Sequence, residues 1–305
     1  MTGYLLRRGL MMAPLLLGAA SVVFLLIHLI PGDPAQAMLG PGALPADIQA
    51  LQARLGLDRP LGIQFLAFLG ALLRGDLGVS IHYQDPVGSL LLERLPATAM
   101  LATATLAMAL LLAVPAGVMA ALRPSGAADR ATAVLAAVAL SLPSIWLGPL
   151  LVILFSIRLN WLPVSGADRP SSIILPAATL AFSTGALLAR LLRTSLAEEL
   201  GSLYVRSARA RGLSRLAAAL RHALRNACGP VVTTVALQVG SLLTGAILTE
   251  TIFAWPGLGR LLVRAISYRD YPLVQGCVLL FAALYIGTQL LCDAVRGALD
   301  PRVAA

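Results

Sequence analysis

GSLYVRSARARGLSRLAAALRHALRN, residues 201–226, carries six arginines and no carboxylate, and it lies between two long apolar stretches. The rest of the chain decides what such a segment means. Of its 305 residues 58% are hydrophobic and 12% charged, against about 45–50% and about 25% in an average soluble domain. A soluble fold of this size needs far more charge to cover its surface, so lipid is the solvent for most of the chain.

Apolar stretches near the length of a bilayer core fall at 9–30, 97–122, 131–157, 173–189, 231–249 and 273–291, giving an expectation of six spans. The fourth is short. Pro14, Pro115, Pro143, Pro149 and Pro176 lie inside them and read as kinks whose freed backbone groups neighbouring helices satisfy. The first stretch follows Arg7 and Arg8 and precedes Ala35-Gln36-Ala37, so a cleaved signal peptide is weighed against a retained anchor. Its apolar core exceeds the roughly 7–15 residues of a signal, which favours the anchor.

With both termini in the cytoplasm, inner segments hold Arg7, Arg8, Arg123, Arg130, the eight arginines from Arg190 to Arg225, Arg296 and Arg302. The short outer loops hold only Arg158, Arg169, Arg260, Arg264 and Arg269, which sets the orientation and puts 201–226 inside. A long outer loop, 31–96, carries two short helical patterns. Pro45 opens one, with Ile48, Leu51 and Leu55 on a face and Gly56 as its stop; Pro60 opens another through Phe65, Leu69 and Leu72 to Gly75. Both lie on the membrane surface or cap the bundle.

All 23 basic residues are arginine, the formal charge is +9, and there is no lysine. That excludes the nucleotide-binding loop G-x-x-x-x-G-K-[ST], whose lysine reaches the phosphates. If ATP drives this chain, another polypeptide binds it. The cysteines Cys228, Cys277 and Cys292 are expected as free thiols, because the last two are about 22 Å apart on a continuous helix.

Residues 204–211 suit a short helix stopped by Gly212, after which Ser214 caps a second helix. In that second helix Leu216, Leu220, Ala223 and Leu224 share one face and Arg221, His222 and Arg225 the other, with Pro230 closing the unit before the fifth span. Nucleic-acid binding is disfavoured, since no aromatics interleave the arginines and membrane tethers both ends. Two readings stay open on pattern: a loop that only sets topology, and a docking surface where Ser207, Ala208 and Ala210 let the short helix enter a partner's groove.

In the fifth span Thr234, Gln238, Ser241, Gly245 and Thr249 fall within an arc of about 80°. The stripe reads equally as the lining of a polar path or as helix packing, Ser241 and Gly245 forming a small-xxx-small pair. No acidic residue lies deep in a span, Glu250 coming at the outer end of the fifth, so ion coupling is disfavoured. His28 reads as a packed histidine before a ligand. His28, His82 and His222 are scattered without metal-ligand spacing, so no metal site is expected.

YVRSARARGLSRLAAALRHALRNACGPVVT at 204–233 resembles the cytoplasmic EAA loop of ATP-binding-cassette (ABC) importer permeases, in the dipeptide, oligopeptide, glutathione and nickel branch. IPGDPA (30–35), LGLDRPLGIQF (55–65), GDLGVS (75–80), WLPVSG (161–166), ARLLRTSL (189–196), ETIFAWPGLGRLL (250–262), RDYPLVQG (269–276) and LDPR (299–302) agree in order along nearly the whole chain. The Glu that names the motif is replaced around Arg206 and Ser207.

The resemblance implies an all-α membrane protein with six transmembrane helices and the ABC importer type I permease fold. It is divided into an anchor and outer loop (1–96) and a five-helix core (97–305) with the coupling loop at about 198–230. Tyr204, Val205, Arg206, Ala208, Arg209, Ala210, Arg211, Gly212 and Leu213 form the coupling helix and its stop, entering a cleft on the ATPase. Glu250, Phe253, Trp255, Pro256 and Gly257 belong to an outer gate facing the binding protein.

The implied partners are a second homologous permease, two cytoplasmic ABC ATPases, an extracytoplasmic solute-binding protein and membrane lipid, with no nucleic acid. This chain binds no cofactor, ATP and Mg sitting on the ATPases, and it has no catalytic residue. The implied place is the bacterial inner membrane, crossed several times with both termini cytoplasmic. The cargo is a small polar solute, di- or oligopeptides first and a nickel chelate or glutathione as alternatives. An ATP-independent channel or binding protein is the different-class alternative; a membrane enzyme is opposed by the missing carboxylate pair, metal cluster and nucleophile-base pair.

Overall fold

The computed structural model describes residues 2–29, 36, 39, 42–55 and 58–299, which are mainly helical with no strand among them, only an isolated bridge between Val79 and Pro86. IPGDPA at 30–35, Gly56, most of LDPR and the His28 side chain lie outside the described residues.

Helix α1 (Thr2–Leu29) contains the expected anchor. The two loop helices form where their prolines start them, α2 at Pro45–Leu55 and α3 at Leu61–Leu73 with Pro60 as N-cap. Helix α3 caps the bundle: its Phe68, Leu69 and Leu72 pack against Ala20 and Val23 of α1 and against Leu279.

Helix α4 (Val87–Leu122) begins well ahead of the expected 97, because Pro86 sets its N-cap and Pro96 is accommodated inside. The division drawn at 96 therefore falls within one continuous helix. Its Thr105, Ala109, Ala113, Gly117 and Ala121, four residues apart, are all buried. They face α7 (Ile174–Leu200), which a turn of 3-10 helix at Pro170–Ile173 precedes and which runs past the expected end at 189. A Cβ on Gly117 would stand 2.9 Å from the Ala189 carbonyl oxygen. Small side chains bring the two backbones together, the packing mode favoured where lipid removes the hydrophobic drive between helices.

The expected third span is not one helix. Helices α5 (Ala127–Ser141) and α6 (Ser144–Leu151), the latter continued by a π-helical stretch at Val152–Arg158, are bent by 104°. Pro143 is the cause: it holds Leu142 in an extended conformation (φ −89°, ψ 116°), as a residue before proline prefers.

The fifth span differs too. The short α8 (Leu203–Ala210) is followed by α9 (Arg215–Ala218), a π turn at Ala219–Ala223 and α10 (Leu224–Gly245), which run on as one helical stretch. Pro230 lies inside α10 and closes nothing; the expected surface helix and fifth span are one rod. The rod ends at Gly245, and a separate α11 (Ile247–Ile252) carries Thr249. Helices α12 (Leu258–Ser267) and α13 (Tyr271–Leu299) complete the chain.

Among the described residues four helices are long and apolar enough to cross a membrane, Val87–Leu122, Pro170–Leu200, Arg215–Leu243 and Tyr271–Cys292, or five if the bent pair is one span. The described apolar part of the first expected span, Met12–Leu25, is shorter. Cys228, Cys277 and Cys292 form no disulfide among the described residues.

Candidate functional site

At the arginine-rich end, Ser202 precedes α8 in extended backbone and Gly212 follows it at φ +96°, a left-handed conformation that costs a β-carbon residue dearly. Ser214 Oγ then accepts from the Ala217 amide at 3.2 Å, starting the next helix as its sequence predicts. Val205 packs into the cluster of Leu196, Ala218, Ala223 and Ala227. Tyr204, Arg206, Ser207, Arg209, Ala210, Arg211 and Gly212 are exposed, and Leu213 is half-buried.

Two expectations change here. Ala208 is 1% exposed, so its small side chain lets α8 sit close to its own chain, and only Ser207 and Ala210 of the expected small residues face outward. In the next helix Leu216 and Leu220 are exposed and Ala218, Ala219, Ala223 and Ala227 are buried. This part of the rod thus turns its alanines, with half-buried Leu224, toward the bundle and leaves Leu216 and Leu220 outside.

Polar contacts tie this end together. Tyr204 Oη donates to Glu199 Oε2 at 2.5 Å and accepts from Asn226 Nδ2 at 3.0 Å. Partial desolvation of the hydroxyl, then the bond to Glu199, pushes the Tyr204 phenol above its ordinary pKa. Nearby, Arg193 holds Asp129 in a two-pronged pair, Nε to Oδ1 at 2.9 Å and Nη2 to Oδ2 at 2.7 Å, fastening the start of α5 to α7.

At the outer end, the residues expected to face a binding protein are interior. Glu250, Phe253, Trp255 and Gly257 are buried and Pro256 is half-buried. Glu250 Oε2 accepts from the amides of Gly259 at 2.7 Å and Arg260 at 3.1 Å, while Oε1 accepts from Thr98 Oγ1 at 2.7 Å. Thr98 Oγ1 in turn accepts from the Leu258 amide at 2.8 Å. The first-turn amides of α12, which a helix cannot satisfy internally, are capped by a carboxylate and a hydroxyl from elsewhere in the chain. Trp255 Nε1 donates to the Ala97 carbonyl at 2.9 Å, so the whole ETIFAWPGLG turn is hung on the outer half of α4.

Nothing in the sequence sets Thr98 apart from Thr103 and Thr105 in the same apolar run, since its partner is 152 residues away. Asp270 lies in RDYPLVQG, one of the stretches that carry the resemblance, but its role was not legible there; it is buried at 0% exposure. It accepts from Ser80 Oγ at 2.5 Å, from the His82 amide at 3.1 Å and from the Leu273 amide at 3.2 Å. GDLGVS and RDYPLVQG are thereby locked together, and the His82 ring stacks on Tyr268 with centroids 3.8 Å apart.

The polar stripe is shorter than its sequence implies. Thr234 and Gln238 are half-buried and Ser241 is exposed on α10, whereas Thr249 belongs to α11 and is buried. The break after Gly245 takes Thr249 off the α10 helix; the surroundings of Gly245 lie outside the description. Thr234 Oγ1 donates to the Pro230 carbonyl at 3.0 Å, so part of its polarity is spent on its own helix.

The family described as "Binding-protein-dependent transport system inner membrane component" matches residues 113–305, and the "Binding-prot-dependent transport system membrane comp, N-term" family matches residues 1–102. The glutathione transport system permease protein GsiC of Salmonella choleraesuis (strain SC-B67) is 41% identical over 303 residues, covering 99% of each chain. The dipeptide transport system permease protein DppB of Escherichia coli (strain K12) is 39% identical over 335 aligned positions, again covering 99% of each. A crystal structure of an amino acid ABC transporter with histidines matches with a TM-score of 0.53 at 15% identity, over 70% of this chain and 94% of that one, a likeness of fold. With its apolar helices, its arginine-rich turn and its buried carboxylate cap, this chain belongs to the binding-protein-dependent transport system inner membrane components, as a multi-pass permease of an ABC importer.

Proposed function

We propose that this chain moves di- or oligopeptides inward across the bacterial inner membrane, with α8 as the helix that takes up motion from an ATPase. It works beside a second permease, two cytoplasmic ABC ATPases that carry the ATP and Mg, and an extracytoplasmic solute-binding protein. Both termini are cytoplasmic and the first expected span is the sixth membrane crossing. ATP binding closes the ATPase pair, α8 moves with it, the bundle opens outward to receive the peptide, and hydrolysis resets it.

One observation carries the reading: α8 buries Val205 and Ala208 in its own chain and leaves Arg206, Arg209, Ala210 and Arg211 to solvent. A helix so seated presents a basic face that no part of the described chain covers. The arginines match a carboxylate-bearing groove, where each forms charge-assisted bonds. Thr234, Gln238 and Ser241 on α10 supply amide and hydroxyl groups suited to a peptide, with Thr249 and Gly245 beyond the end of that run. Glutathione, itself a short peptide, is the second reading, favoured by the 41% identity to GsiC.

The test is co-purification and uptake in the assembled importer. Arg206→Glu with Arg209→Glu is expected to strip the ATPase subunits while the chain still inserts. Labelled alanyl-alanine is expected to enter proteoliposomes with Mg-ATP and binding protein, and Gln238→Leu to reduce entry without loss of assembly. Full ATPase retention in the charge-reversed variant would overturn the coupling role; uptake of glutathione alone would replace the first cargo by the second.

A further inference from the structure

Tyr204 joins three helices by polar contacts. Its hydroxyl donates to Glu199 in the last turns of α7 and accepts from Asn226 at the start of α10, while its own backbone belongs to α8. Helix α8 has 8 residues, below the roughly 12–15 at which an isolated helix becomes even marginal in water. Its position depends on what it touches. Val205 and Ala208 seat it through apolar contacts, which are non-directional and let a helix slide. The Tyr204 bonds are directional, one is charge-assisted, and the ring that carries them is rigid.

The continuation of the chain beyond Glu199 gives the junction its reach. Helix α7 runs from there into the close seam with α4, where Gly117 meets the Ala189 carbonyl, and α4 carries Ala97 and Thr98, from which the outer turn and α12 hang. A displacement of α8 delivered through Tyr204 enters a stiff path to the outer face.

We infer that Tyr204 is a positioning residue whose hydroxyl locks α8 to α7 and α10, so that motion of the coupling helix reaches the outer turn at 250–267, and that it is not a contact for the ATPase. The inference rests on the coupling reading of α8. Tyr204→Phe is the test, because it keeps the ring and removes only the junction. In the full importer, hydrogen exchange of residues 250–267 is compared between the nucleotide-free state and the state trapped with Mg-ATP and vanadate.

The wild-type complex is expected to show a clear difference between the two states. Tyr204→Phe is expected to retain its ATPase subunits while that difference falls roughly fivefold to tenfold, the scale on which one lost charge-assisted bond shifts an equilibrium. Asn226→Ala, which leaves the Glu199 bond in place, is expected to reproduce part of the loss, its combination with Tyr204→Phe to be no worse than Tyr204→Phe, and Glu199→Gln, which keeps an acceptor oxygen but not its charge, to fall between wild type and Tyr204→Phe. A full response in Tyr204→Phe, or loss of its ATPase subunits, overturns the inference alone. If the wild type shows no response, or keeps its ATPases when Arg206 and Arg209 are both reversed to Glu, the coupling reading falls and the inference with it.

Discussion

The Thr98 hydroxyl donates to the Glu250 carboxylate at 2.7 Å and joins the outer half of α4 to the turn that starts α12. Because the same oxygen accepts from the Leu258 amide, one side chain serves both the carboxylate and the helix end.

Thr98→Val, which keeps the shape and removes the hydroxyl, leaves the Leu258 amide without its acceptor in a buried setting. A loss of about 1–3 kcal/mol is expected, read as earlier thermal unfolding of the detergent-solubilised chain. Thr98→Ser is expected to recover most of it. Equal stability of the valine variant and the parent would show that the cap is idle.

Glycine tolerance should divide sharply along the chain. A Cβ at Gly259 would lie 2.5 Å from the Ile247 Cα, and one at Gly257 would run into the Glu250 carboxylate, whereas at Gly287 nothing stands within 4 Å. Gly259→Ala is expected to cost about 1–3 kcal/mol because backbone must shift. Gly287→Ala, within α13, is expected to gain several tenths of a kcal/mol from helix propensity. Matched melting curves decide it, and an unharmed Gly259→Ala would contradict the close packing of α11 on α12.

Asp270→Asn retains size but has one acceptor oxygen, which cannot accept from the Leu273 amide on one side and from Ser80 and the His82 amide on the other. The loop at 75–86 is expected to loosen from the outer edge while the helices stay intact. Hydrogen exchange at His82 and Tyr83 should rise about tenfold or more, as loss of bonds to a buried carboxylate implies. Unchanged exchange there would mean that the loop is held by its apolar contacts.

The sequence was most informative where the signal is local. Pro45 and Pro60 start helices as their chemistry requires, Gly212 takes the left-handed backbone that stops α8, and Ser214 caps α9. Each depends on the φ limits or hydrogen-bonding capacity of a residue and its near neighbours. Pro143 and Pro230 show the limit of such reading, since one breaks the helix by 104° and the other is absorbed inside α10. Proline removes one amide in either case; whether the helix bends depends on the packing around it.

Composition and arginine placement by themselves determined a lipid-embedded, all-helical chain with a basic turn at one face, because transfer of apolar stretches and of charge into lipid has a sign that no packing reverses. Tertiary structure alone decided that Ala208 faces inward, that Leu216 and Leu220 face outward, that Thr249 leaves the α10 stripe, and that Glu250 caps a helix in the interior. Those outcomes depend on partners up to 190 residues away, as for Ser80 and Asp270, and periodicity along one helix records which side chains can share a face but not what lies opposite it.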